Sequence, residues 1–286
     1  MGFGYGAKMS QYRVRPADLP GGGARRQVQM LSAADKQLVS ECYARLAAAR
    51  HGLIDKSPLE LDSLFAPPEN RVVGYQSGDA LAGYMVFSFV PGGQDTFLIN
   101  DILVKELVYE SPTALAGILA FLRSQADQIR QVVFNLQDDD FHHLLHDPRD
   151  GSDYFMASLY QQTNRQGLGI MYRVVDTRAL LADLSAVSFG EQDCRLRITV
   201  RDSFLPANHG DLLVRFAGGR PAPHDGGEPE VAIQLDVADL SALLMGVVGF
   251  RSLHRYGVAT ISEEAEVGRV DRLFRADEPP VCMTWF

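Results

Sequence analysis

The stretch from Ala80 to Leu136 constrains the fold more than any other part of the chain. Two extended runs, ALAGYMVFSFVPGG and DTFLINDILVKELVY, are rich in β-branched and aromatic residues and are joined by a Pro91-Gly92-Gly93 turn, so they read as a hairpin. SPTALAGILAFLRSQADQIR follows as a helix, with Ser111 as its cap and Pro112 at the first helical position, where the missing N–H is no loss. Leu115, Ile118, Leu119 and Leu122 share one stripe of that helix, and QVVFNL then reads as a short buried strand. Ahead of the hairpin, SAADKQLVSECYARLAAARHG reads as a helix capped by Ser32 and stopped by Gly52, with Leu38, Cys42, Leu46 and Ala49 on one face. Helix, two strands, helix, strand is an α+β unit, placed at 26–150.

The pattern changes after HDPRDGSD. IMYRVVD, CRLRITVRD, DLLVRFAGG and EVAIQLD are strand-like, and a helix then carries Leu240, Leu243, Leu244, Val247 and Val248 on one side. A further helix runs through Val267, Val270 and Phe274, so 151–286 reads as a second α+β domain. RPAPHDGGEPE is biased enough in composition to be read as a mobile loop. Residues 1–25 fall outside both units. AKMSQYRVR there reads as one strand standing alone, ended by the Pro20 and triple glycine of ADLPGGGARR.

With 286 residues, 46% of them apolar, the chain has material for about two well-packed domains. No apolar run reaches the length of a membrane span and no secretory leader is evident, so a soluble, cytoplasmic protein without membrane contact is expected. Cys42, Cys194 and Cys282 lack disulfide or zinc spacing and are expected to be reduced, with no metal bound. Acidic residues outnumber basic ones 36 to 27 and no basic stripe appears, which argues against nucleic acid and suits a cationic small molecule.

Few residues carry the pattern of a catalytic site. GFGYG at the amino terminus lacks the preceding strand and following helix of a phosphate-binding loop, and reads instead as a tight turn or a close approach between backbones. DDDFHHLLHD would place His142 and His146 on one face of a helix, and is read as a capped helix with solvated histidines in preference to a metal site. There is no G-x-S-x-G and no Walker sequence; His209, His224 and His254 are isolated. The carboxyl terminus differs, because five of the last six residues are apolar, including the only tryptophan. An end of that composition should pack inside and carry the α-carboxylate of Phe286 into a partly dry place, where it becomes a better proton acceptor. The alternative is an ordinary final strand whose carboxylate reaches solvent.

FGYGAKM followed by a strand, FNLQDDDFHHLLHDPR, the IMYRVVDTRALL run and the aromatic terminus together resemble the Eis (enhanced intracellular survival) family of GNAT N-acetyltransferases, in order and spacing over essentially the whole chain. The resemblance implies a degenerate GNAT-like α/β domain followed by a sterol-carrier-protein-like domain, with 1–25 as the last strand and linker of a catalytic GNAT domain that this chain lacks. It also implies acetyl-CoA as co-substrate of the complete protein and cationic amines, including aminoglycosides, as acceptors. Phe286 is then the general base through its carboxylate and, with Trp285, a substrate-binding residue; Tyr5 belongs to the glycine turn and is not the family's acid.

A working GNAT unit grips the acetyl-CoA pyrophosphate with amides of a basic, glycine-rich loop. ELVYESPTALAG stands there instead, with Glu106 and Glu110 where positive potential is wanted and Pro112 where an amide is wanted, so no donor is expected to bind this chain. Two other roles stay open. One is a stand-alone carrier of an apolar ligand held against the Leu240–Val248 helix. The other is self-association into a homo-oligomer through an unpaired edge of the Ala7–Arg15 strand.

Overall fold

The computed structural model describes residues 1–92, 99–157 and 159–284. The chain opens on strand β1 (Gly4–Tyr5) and continues into β2 (Met9–Val14) and β3 (Val28–Leu31), helices α1 (Lys36–Ala49) and α2 (Pro58–Phe65), and strands β4 (Asn70–Ser77), β5 (Ala80–Pro91) and β6 (Asn100–Tyr109). Helix α3 (Pro112–Arg123), β7 (Ile129–Leu136), the short strands β8 (Phe155–Met156) and β9 (Tyr160–Gln161), and β10 (Asn164–Gly167) follow. Two compact units form, one from Lys8–Gly167 together with the chain from Val281 onward, the other from Met1–Ala7 and Leu168–Pro280. No helix among the described residues is long and apolar enough to cross a membrane.

In the first unit seven strands run in the order β10-β2-β7-β6-β5-β4-β3. Only β6 and β7 are parallel, because α3 carries the chain back across the sheet between them; every other pairing is antiparallel. Strand side chains alternate between faces, so neighbours part company. Val73, Met85 and Phe87 join α3 in one core cluster, while Val72, Tyr84 and Val86 join α1 and α2 in another. Helices on both faces explain why β5 and β6 read as nearly continuous apolar runs.

The capping signals hold. Ser111 Oγ accepts the Ala114 N–H at 3.2 Å with Pro112 in the first turn, and Ser32 accepts the Ala34 N–H before α1. The hairpin is present as β5 and β6, with Gly93 and the rest of 93–98 outside the described residues. Between Val28 and Leu136 the sequence reading missed β3, β4 and α2, although Ser57 and Glu60 form at the start of α2 the reciprocal capping box that S-x-x-E announces.

The strand expected to stand alone does not. Met9–Val14 is paired on both sides, with β7 through Ser10–Val14 and with β10 through Met9–Tyr12. Residues 164–167 return to cover the edge that would have been adhesive, a long-range pairing that no local pattern announces. Self-association through that edge therefore loses its basis.

The second unit contains β11 (Met171–Tyr172), α4 (Thr177–Asp183), β12 (Cys194–Arg201), β13 (Gly210–Ala217), β14 (Arg220–His224), β15 (Val231–Asp236), α5 (Val237–Leu244), α6 (Phe250–Arg255), β16 (Ala259–Ile261) and α7 (Val267–Leu273). Its five-stranded sheet runs β14-β13-β12-β15-β16, and β1 pairs separately with β11. The alternation of CRLRITVR puts Cys194, Leu196, Ile198 and Val200 into a core shared with Leu240, Leu243, Leu244, Phe250 and Val270. RPAPH, expected to belong to a mobile loop, is instead the edge strand β14, where prolines are tolerated because one side of the ladder is unused. Only Met171–Tyr172 of IMYRVVD is a strand.

Candidate functional site

The GFGYG turn is a close approach between backbones. A Cβ added at Gly4 would lie 2.1 Å from the Ala238 carbonyl oxygen of α5, and one at Gly6 would lie 2.8 Å from the Ile170 carbonyl oxygen. These glycines let β1 lie against α5 and β11. Tyr5 between them is exposed.

The β6–α3 connection, where the sequence reading placed Glu106, Glu110 and Pro112, is built only partly as that reading has it. Glu110 is at the connection, held by Arg45 Nε at 2.7 Å, and Ser111 and Pro112 take the positions where donor amides would stand. Glu106 is not there. A bulge at Lys105 shifts the β5–β6 register, so that Val104 pairs with Phe87 but Glu106 pairs with Val86. One extra residue inverts the alternation: Ile102 and Val104 face α3, whereas Glu106 and Val108 face α1 and α2. Glu106 is thereby buried against Lys56, whose Nζ lies 2.9 Å from Oε2, and receives the hydroxyl hydrogen bond of Tyr84. Lys56 Nζ also sits 4.5 Å from the Tyr43 ring centre. Burial first, and the Glu106 charge second, raise the phenols of Tyr43 and Tyr84 above their ordinary values.

Beside this cluster the carboxyl-terminal tail is anchored at successive residues. Val281 donates its N–H to the His51 carbonyl at 2.9 Å, Cys282 donates to Gln137 Oε1 at 2.6 Å, and Met283 packs on the cluster formed by α1, α2, β4, β5 and Val108 of β6. The tail was expected to pack inside; residues 281–284 are half-buried. Trp285 and Phe286, the substrate-binding and base residues of the sequence reading, lie outside the described residues. The sequence did not single out Gln137, His51 or Lys56. A glutamine after a strand and a lysine before a helix carry no pattern that separates them from surface residues.

The other polar cluster is structural. Phe141–Leu144 forms a single 3-10 turn, so His146 falls beyond it and does not share a helix face with His142. Asp138 accepts the Asp140 N–H, Asp139 accepts the Ser10 hydroxyl at 3.2 Å, and Asp147 is paired with Arg149, which holds its carboxyl down at about 2. Among the described residues no group of three or more ligating side chains could hold a metal ion. In the second unit His209 accepts the Asp202 N–H, and His254 stacks on Phe250 beside Glu264. Burial raises the thiols of Cys42 and Cys194 to about 12 and about 11.

Comparison with known proteins agrees with this geometry. Residues 52–174 match the sequence model of the acetyltransferase (GNAT) domain, and residues 180–283 match that of the sterol carrier protein domain. No curated protein matches the chain in sequence. Among solved structures, a GCN5-related N-acetyltransferase from Anabaena variabilis ATCC 29413 superposes with a TM-score of 0.79 at 19% identity, and one from Kribbella flavida with 0.74 at 21%. Eis1 from Mycobacterium abscessus superposes with 0.72 at 22%. Each match covers 100% of this chain but only 69%, 66% and 69% of those chains. Identity this low speaks for the fold and leaves the reaction open. The chain carries a GNAT-type α/β domain followed by a sterol-carrier-type α+β domain.

Proposed function

We propose that this chain is the part of an amine N-acetyltransferase that supplies the proton acceptor and a share of the acceptor-substrate site, while the acetyl-CoA site lies elsewhere in the working enzyme. The observation that carries this reading is the pairing of the two domains in one chain, in an order that superposes along its whole length on Eis1 and on GCN5-related N-acetyltransferases. The β6–α3 connection supports the division of labour. Pro112 has no N–H, Ser111 caps the Ala114 amide with its own side chain, and Glu110 puts a carboxylate, paired with Arg45, at the connection.

In this reading the reaction is direct attack of an amine on the acetyl thioester. The α-carboxylate of Phe286 takes the proton from the attacking nitrogen, the C–N bond forms as the C–S bond breaks, and the thiolate leaves protonated by an acid outside this chain. Trp285 lines the acceptor pocket. Cationic amines such as aminoglycosides suit an acidic chain of formal net charge −9.

Acetyl-CoA titrated into the chain by calorimetry is expected to give no heat of binding. Saturable binding that is lost on changing residues 109–112 would place the donor here and overturn the division. Transfer itself is read with the chain supplied in trans with a donor-competent GNAT domain, following thiol release with kanamycin as acceptor; deletion of Phe286 is expected to lower turnover by about 10²–10⁴-fold. Apolar-ligand transport finds no comparable support, because Leu240, Leu243 and Leu244 of α5 are buried in the unit's own core.

A further inference from the structure

Cys282 is 145 positions from Gln137 in sequence, yet its backbone N–H is the partner of the Gln137 side chain at 2.6 Å. The amide orientation follows from chemistry, since an N–H must face the oxygen of the glutamine. Gln137 directly follows β7, an interior strand paired with β2 on one side and β6 on the other, so its backbone is among the better fixed in the unit. The β6–β7 pairing ends at Val104 and Phe134, after which the Lys105 bulge turns β6 away. Cys282 is fastened just beyond β7, while Met283 packs against the core cluster to which Val108 of β6 belongs. His51, just past α1, adds the third anchor through Val281.

Chain ends fray unless something ties them down. Here three consecutive residues are tied, and only one tie is made by a side chain with no other partner among the described residues. Gln137 Nε2 is buried and has no acceptor among them, so the polar burial of this residue is supported through its oxygen alone.

We propose that Gln137 is the positioning residue of the carboxyl-terminal tail: the clasp between its side chain and the Cys282 N–H holds the backbone of residues 281–284 in place. The seating of the tail stands on the hydrogen bonds above; its importance for catalysis rests on the reading of Phe286 as the base.

The test uses the full chain with Gln137→Met, which keeps length and removes the acceptor, and Gln137→Asn, which keeps polarity and withdraws the oxygen by one methylene. Hydrogen exchange read by mass spectrometry is expected to speed up about tenfold at residues 281–284 in both variants, with exchange in β2 and β7 unchanged. Unchanged exchange at 281–284, or acceleration spread evenly through β2 and β7, overturns the proposal. If Gln137→Met does not fold, Gln137→Asn alone decides. In the trans-supplied transfer assay the same variants are expected to lower kcat about tenfold with little change in KM for the amine. Tail exchange that speeds up without any loss of kcat rejects the catalytic role of the tail and leaves the clasp standing, so the two readings fail separately.

Discussion

Lys56 Nζ lies 2.9 Å from Glu106 Oε2, and both side chains are almost wholly buried. Forty-nine residues separate them, and no strand pairing joins them; what brings them together is the Lys105 bulge, which turns Glu106 toward the face covered by α1 and α2. An acidic residue that looked placed to repel a phosphate is thus a neutralised interior group.

Removing one member of this pair leaves an uncompensated buried charge. Lys56→Met is expected to destabilise the first unit by about 3–5 kcal/mol in urea titrations, whereas Lys56→Met with Glu106→Leu should recover most of that loss, leaving about 1 kcal/mol for the Tyr84 hydroxyl without its acceptor. A double variant no more stable than the single one would show that the pair matters for something other than charge balance.

Asp202 predicts an acid-sensitive second unit. Burial alone would raise its carboxyl, but the Leu205 and Phe204 amides, Arg173 and Asn208 outweigh that and hold it well below the usual carboxylate range. A depressed carboxyl stabilises the fold fully above its unfolded value of about 3.9 and loses that contribution as pH falls through the folded value. Melting temperature measured from pH 6 to pH 2 should therefore fall more steeply in the natural chain than in Asp202→Asn. Parallel curves would refute this assignment.

Gly4→Ala tests the close approach of β1 to α5. The added methyl carbon meets the Ala238 carbonyl oxygen, a backbone atom that cannot rotate away, so a loss of about 1–3 kcal/mol is expected. Gly22, with nothing within 4 Å of its added carbon, is the control, and Gly22→Ala should change stability by less than about 0.5 kcal/mol.

The three thiols should label in a fixed order. At pH 8 a thiol raised to about 12 is thiolate in about one molecule in ten thousand, and one raised to about 11 in about one in a thousand, which adds to the burial of Cys42 and Cys194. Cys282 is partly exposed and is expected to react with iodoacetamide first, measured by peptide mass. Prior labelling of Cys42 would mean that α1 opens before the tail does.

Local chemistry was legible in the chain itself. Ser111 and Pro112 start α3, Ser32 caps the turn leading into α1, and the alternation of CRLRITVR builds the core face of β12, because caps and side-chain periods act over a few residues. What only the tertiary structure decided involves partners far apart: the pairing of β2 with β7 and β10, the edge strand made from RPAPH, the face on which Glu106 lands, and the clasp between Gln137 and Cys282. A single bulge residue reverses the alternation of everything after it, and a glutamine becomes an anchor only when a chain end is laid beside it. Neither effect leaves a mark in the spacing of residues along the sequence, since both depend on which backbones the folded sheet brings within hydrogen-bonding distance.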